Sequence, residues 1–187
     1  FETFQYTKDD WATNSYWDDH FYMVNKCNQL LHTASINNLS DPSSLRNMGE
    51  AYFFRAYAYF ELLRAYGPVP KIDYFYTVAS DGIQPKSTEA VIFALIDKDL
   101  DSAVKLLPIN WFNSTTNNNP FPGRLTYGAA RTLWAQTYMW RQNWAQALAQ
   151  CNLVIGSGQY SLAPKFIDVW KEGLNGAGKN GPESILE

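Results

Sequence analysis

The stretch Asp9-Asp10-Trp11-Ala-Thr-Asn14-Ser15-Tyr16-Trp17 mixes aromatic rings with acidic and carboxamide side chains. A sugar ring has a C–H face that stacks on an aromatic plane, and hydroxyls that need Asn, Asp, Arg or backbone partners. Asp10, Trp11, Asn14, Tyr16 and Trp17 therefore form one candidate surface for carbohydrate. The same residues also have a purely structural reading. Trp11 and Trp17 can staple the start of a helix, and Asn14 can cap it. A second candidate is Tyr74-Phe75-Tyr76, where an extended backbone puts Tyr74 and Tyr76 on one side and Phe75 on the other. Packing over a helical layer is its structural alternative.

Catalysis at a glycosidic bond would need two flanking carboxylates. The available clusters are Asp9/Asp10, Asp18/Asp19 and Asp97/Asp99/Asp101. Asp18 and Asp19 fall in the first turn of a helix, where negative charge is favoured. Asp97 and Asp101 share a solvated helix face, and Asp99 is placed to bond locally. No phosphate-cradling Gly-rich loop, nucleophile elbow or His-Glu-x-x-His motif occurs, so the reading is a non-enzyme. His20 and His32 lack partners at metal-ligand spacing, and neither metal nor cofactor is expected. Cys27 and Cys151 sit at core spacing on separate helices and read as free, buried thiols. The net charge of −3 gives no reason to expect nucleic acid.

Length and composition set the frame for these groups. At 187 residues, 46% hydrophobic and 18% charged, the chain has the length and apolar content for a folded domain with its own core. Its aromatic share of 16% suits both a core and a wet binding platform. No apolar run reaches the roughly 18 residues that a membrane-spanning helix needs.

Five helices are expected. The first runs from about 16 to 36, opened by Ser15 with Asp18 after an irregular start, with His20, Val24, Cys27, Leu31 and Ala34 on one stripe. The second runs from about 43 to 66, and a Tyr-, Ser-, Gly- and Pro-rich loop follows. The third starts at Ser87 or Thr88 and stops before Pro108, with Ile92, Leu95, Ile96, Leu100, Ala103 and Leu107 in helical period. An Asn-rich loop leads to a fourth helix at about 126–141 and a fifth at about 143–156. Beyond 159 the composition reads as mostly irregular, and residues 183–187 read as the opening of a strand. Ala135, Tyr138, Trp144 and Ala147 match tetratricopeptide spacing, in which small residues let paired helices approach and aromatics fill the gap. Helices two with three, and four with five, then make two degenerate repeats. The long loops between them suit a scaffold that carries function on insertions.

The most informative stretch is residues 50–73, Glu-Ala-Tyr-Phe-Phe-Arg-Ala-Tyr-Ala-Tyr-Phe-Glu-Leu-Leu-Arg-Ala-Tyr-Gly-Pro-Val-Pro-Lys-Ile-Asp. A helix this apolar on nearly every side must be buried by its neighbours. Gly67 supplies a left-handed cap, and Pro68 and Pro70 force an extended exit. Arg55 and Arg64, on so apolar a helix, read as buried and paired.

This stretch resembles the SusD-like (SusD/RagB) family, whose members run close to R-A-x-x-Y-F-x-L-x-R-x-Y-G-x-V-P-L. The matching residues are Arg55, Ala56, Tyr59, Phe60, Leu62, Arg64, Tyr66, Gly67, Val69 and Pro70, with Lys71 departing from the usual apolar residue. Gly123-Arg-Leu-Thr-Tyr-Gly-Ala-Ala-Arg131 resembles a second family segment. The resemblance implies an all-α, tetratricopeptide-like fold with long loops. It also implies that residues 1–187 are the amino-terminal helical part of a single larger domain, a lipoprotein on the outer face of the Gram-negative outer membrane. Such proteins capture oligosaccharide and pass it to a SusC-like TonB-dependent transporter, in Bacteroidetes-type polysaccharide utilisation. The membrane is then met only through a lipid anchor upstream. The family's glycan surface uses a Trp with an Asn three residues later, the spacing of Trp11 and Asn14. The alternative is a tetratricopeptide scaffold that binds protein.

Overall fold

A computed structural model of the chain describes residues 11–170 and 181–186. Its elements are α1 (Trp11–Ile36), α2 (Pro42–Tyr66), a 3-10 turn (Ala79–Gly82), α3 (Glu89–Leu106), α4 (Tyr127–Trp140), α5 (Trp144–Gly156) and the one-turn α6 (Phe166–Val169). Among the described residues no strand forms, residues 183–186 included; Pro70 with Lys86 and Asn113 with Asn118 make isolated bridges. The all-α expectation holds, built on the helix pairs α1/α2 and α4/α5. Along α2 lies α1, and α2 also meets α3 through Arg55 and Asp99. A short turn at 37–41 folds α2 straight back on α1, whereas the long 67–88 segment separates α2 from α3. The chain divides into two compact units, residues 1–99 and 100–187, with the division inside α3.

In the first unit, α2 starts where its chemistry says it should. The Asp41 carboxylate accepts the N–H groups of Ser43 and Ser44 at 3.0 and 3.1 Å, and Pro42 occupies the first turn. At the other end the Gly67 N–H still reaches Leu63 O at 2.9 Å. Gly67 has φ 69° and ψ −143°. That is not the left-handed helical cap expected but a conformation open essentially to glycine alone, and it turns the chain outward into Pro68. Between these ends Ala51, Phe53, Ala56, Ala58, Tyr59, Phe60, Leu62 and Leu63 are buried. A narrow seam remains exposed along Phe54, Tyr57 and Arg64.

Burial of so much of α2 carries one charge inside. Arg55 donates from Nε to Asp99 Oδ2 at 2.7 Å and from Nη2 to Asp99 Oδ1 at 2.6 Å, a bidentate pair with α3. Its Nη1 donates to Asn28 Oδ1 of α1 at 2.7 Å. Asn28 Nδ2 then donates to the carbonyls of Ile72 and Tyr74, each at 2.9 Å. Tyr59 completes the arrangement. Its hydroxyl accepts the Ile72 N–H at 2.6 Å and donates to Ile72 O at 3.1 Å. The expectation of a locally bonded Asp99 is corrected: it is fully buried and is the counter-ion of Arg55. Arg64 is corrected too, since it lies exposed and pairs with Glu61 one turn back. Lys71, the departure from the family pattern, pairs with Asp73 at 2.8 Å on the surface.

In the second unit, Leu100, Ala103 and Val104 of α3 and Leu107 just after it are buried. Thr126 caps α4 by accepting the Ala129 N–H, and Gly128, Ala129, Ala130, Leu133 and Ala135 are buried along it. Gly128 has a specific reason to lack a side chain, because the Tyr160 ring and hydroxyl occupy the space a Cβ would need. The α5 helix buries only Ala147, Gln150 and Val154. Trp144 is therefore not the gap-filling aromatic expected; it is 62% exposed. Cys151 is likewise exposed, while Cys27 is buried as expected. Burial pushes the Cys27 thiol up to about 11.

Two outcomes follow from this packing. Asp99→Ala strands a buried guanidinium and is expected to cost about 3–5 kcal/mol in denaturant unfolding, against ~1 kcal/mol or less for Arg64→Ala. In thiol titration with a disulfide reagent at about pH 8, Cys151 reacts at once and Cys27 only after unfolding. Two fast equivalents would contradict the burial of Cys27.

Candidate functional site

The helix α1 already includes Trp11, where an irregular start and a Ser15/Asp18 cap were expected. This changes what Trp11 and Asn14 are. They are not loop residues but members of one helical face, to which the 3.6-residue period adds Asp18 and Tyr22. All four are exposed, Trp11 at 75% and Tyr22 at 64%. The stripe from Trp11 to Tyr22 is about 16 Å long at 1.5 Å per residue. At its far end Lys26 places its ammonium over the Tyr22 ring, 5.2 Å from the centroid. Asp18 and Tyr22 were legible as members of the surface only once the helix was known to include residue 11. Their signal is the spacing i, i+3, i+7, i+11. Asp9 and Asp10 lie outside the described residues.

Tyr16 and Trp17 point away from that stripe. Trp17 meets Tyr66 edge-on at 5.1 Å between ring centroids and Phe21 at 4.7 Å, so it serves as packing between α1 and α2. Tyr16 donates its hydroxyl to Glu61 Oε2 at 2.7 Å. Burial and the neighbouring Glu61 carboxylate both push its phenol well above the ordinary range. Tyr66 ties the same end down by donating to Thr13 O. The first turns of α1 are thus held by side chains of α2, which leaves the Trp11 face outward.

Tyr74 and Tyr76 do lie on one side of their segment, in edge contact at 6.4 Å. Phe75 goes the other way, to His32 at 5.8 Å. Both tyrosines hold the following loop. Tyr74 donates its hydroxyl to Asp81 O at 2.6 Å and accepts from Gln84 Nε2 at 2.9 Å, while the Tyr76 ring packs on Gly82. Tyr74 remains 41% exposed. The backbone of this segment is bonded to Asn28, which is 17 residues beyond Trp11 on α1, or about 25 Å along the helix axis. The structure does not bring Trp11/Asn14 and Tyr74/Tyr76 into one patch.

Among the described residues no group of three His, Cys, Asp or Glu is disposed to hold a metal. Asp99 is engaged by Arg55 and Asp101 by Lys105. Trp11→Ala is expected to change the unfolding free energy by about 0.5 kcal/mol or less, since its side chain is 75% exposed. Trp17→Ala is expected to cost about 2–3 kcal/mol. Equal losses in the two variants would mean that Trp11 is a core residue.

Comparison with known proteins agrees with the all-α fold. A family model, SusD-like_3, described as starch-binding and associating with the outer membrane, matches residues 2–138. A SusD-like protein of Bacteroides ovatus is 29% identical over 147 residues, which cover 77% of this chain and 25% of the relative. The crystal structure of a SusD-like protein from Bacteroides fragilis has a TM-score of 0.77 at 26% identity, covering 92% of this chain and 32% of that one. A structure solved with a xylogluco-oligosaccharide has a TM-score of 0.77 at 25% identity, covering 98% of this chain and 37% of that one. The chain therefore spans about a quarter to a third of the length of these relatives. Because the model's match takes in well over half of its residues, the chain belongs to the SusD-like family.

Proposed function

We propose that this chain is the amino-terminal helical portion of a single SusD-like domain that binds oligosaccharide at the bacterial cell surface without catalysis. It would be carried on the outer membrane by a lipid anchor upstream of the chain and would deliver its ligand to a SusC-like TonB-dependent transporter. The observation that carries the reading is the exposed face Trp11, Asn14, Asp18 and Tyr22, in a chain of a family described as starch-binding. Two rings at the ends of the stripe offer stacking planes, with a carboxamide and a carboxylate between them for hydroxyl groups. Tyr16 and Trp17 support that face from behind. Tyr74 and Tyr76 form a separate aromatic edge on the same unit, available to a longer glycan. Family likeness to a structure holding a xylogluco-oligosaccharide supports a plant-type or storage glucan as the first ligand class to try.

Affinity electrophoresis and calorimetry against starch, laminarin and xyloglucan test this. Binding to at least one of them is expected, weakened about tenfold by Trp11→Ala with the melting temperature unchanged. If no member of the panel binds, the glycan reading falls. If binding survives Trp11→Ala intact, the α1 face is not the site.

A further inference from the structure

The second unit contains a half-open cleft of about 150 Å³ whose lining includes Asn110, Asn119, Arg124, Thr126, Gln159 and Tyr160. We propose that this cleft is a carbohydrate subsite that takes one sugar ring at the end of a glycan chain. The inference rests on the glycan reading above but concerns residues outside the α1 face.

A protein cavity of about 150 Å³ is enough to admit benzene, and a sugar ring with its hydroxyls is larger, so the open side of the cleft takes the remainder. Its lining is mixed, with Ile109, Trp111, Ile185 and Leu186 beside the polar groups. The polar part of the lining carries three carboxamides, three hydroxyl-bearing side chains from Thr126, Tyr160 and Ser184, and one guanidinium. A wholly apolar ligand would cover the spare amide N–H groups of the carboxamides, at a cost comparable to a lost hydrogen bond for each. A phosphate ligand would call for several cations or a Gly-rich cradle, and Arg124 is the one charged residue among those lining the cleft. A ring with several hydroxyls, each both donor and acceptor, fits the mixture.

The carboxamides keep capacity for such a guest. Asn110 gives one N–H to Gln159 Oε1 at 2.6 Å and accepts the Phe112 N–H at 3.1 Å. Gln159 gives one N–H to Ser157 O at 3.3 Å. Each NH2 group has two donors, so a second N–H on each remains for a ligand hydroxyl. Asn119 accepts the Phe121 N–H at 2.9 Å through its carbonyl oxygen, and that bond makes no use of its NH2 group.

The wall is also rigid, which a weak polar site needs. Trp111 donates its indole N–H to Leu125 O at 2.8 Å in the interior, and the Arg124 guanidinium stacks 4.3 Å from a Trp111 ring centroid. Tyr160 shares a hydrogen bond of 2.9 Å with Thr126 and packs on Gly128, where no Cβ intervenes. Gly123, at φ 80°, makes the turn that brings Arg124 back onto the tryptophan. Side chains are thus held in place before any ligand arrives.

The test is a ¹H–¹⁵N correlation spectrum of the chain, following side-chain NH2 and indole signals during titration with glucose, xylose, laminari-oligosaccharides and xylogluco-oligosaccharides. The NH2 signals of Asn110, Asn119 and Gln159 are expected to shift saturably. Gln159→Met, which removes the carboxamide at similar volume, should weaken that response about five- to tenfold. Asn119→Trp, an exposed rim change that fills the opening, should abolish it with the melting temperature kept. Trp11→Ala should leave these shifts in place. Shifts confined to Trp11 and its neighbours would overturn the cleft proposal and leave the glycan reading standing. No shift anywhere with any probe would overturn both. Cleft shifts that survive Asn119→Trp would show that the ring does not enter, and would also overturn the proposal.

Discussion

A guanidinium enclosed by hydrophobic side chains must be neutralised and fully hydrogen-bonded, or the fold that encloses it cannot form. Arg55 meets that demand with two bonds to Asp99 and one to Asn28. The three residues come from α2, α3 and α1, so satisfying one side chain ties α1 and α2 to the first-unit part of α3. The consequence extends beyond the helices. Asn28 has spent its carbonyl on Arg55, and its NH2 group then grips the backbone at Ile72 and Tyr74. An irregular segment that has no ladder of its own is thereby held by a side chain whose orientation the buried arginine dictates.

This gives the family pattern from 55 to 70 a physical content. Ala56 and Leu62 are fully buried where α2 meets its neighbours, and Tyr59 supplies both bonds to Ile72. Tyr66 reaches Thr13 at the other end of α1, and Gly67 takes a backbone conformation that a side chain would strain. Val69 is buried just after the helix ends. These residues build the frame. None of them except the exposed Arg64 is placed to meet a ligand, so the pattern identifies the fold far more directly than it identifies the glycan.

What could be read from the sequence follows the same division. Helix ends at Pro42, Tyr66, Trp140 and Trp144 were legible because caps, prolines and short turns are local chemistry. The stripe of Val24, Cys27 and Ala34 was legible from its period. The period set Asp99 apart from Asp97 and Asp101, but its partner was not legible, because Arg55 is 44 residues away. Arg64 and Trp144 misled for the opposite reason. Apolar surroundings in sequence suggested burial, yet each faces outward on its helix. The start of α1 mattered most. Taking residues 11–14 as irregular hid the fact that Trp11, Asn14, Asp18 and Tyr22 share a face, since a face exists only if the helix does. The cleft of Asn110 and Gln159 was invisible for a third reason: its walls come from loops 49 residues apart.

The separation of frame from surface bears on how such a chain can be specific. Substitutions on an exposed helix face away from caps and packing cost about 0.5 kcal/mol or less, whereas those in a buried charged network cost several kcal/mol. Trp11, Asn14, Asp18 and Tyr22 carry little of the stability, so binding is free to decide their identities. The same holds for Asn119 at the rim of the second-unit cleft, in contrast to Trp111 and Tyr160 in its wall. A fold stabilised by Arg55, Asp99 and Tyr59 can therefore keep its geometry while the contact residues change to suit different sugars. If the chain binds glycan as proposed, its preference is set by the exposed residues of α1 and the loop rim, and the residues that name the family are silent about it.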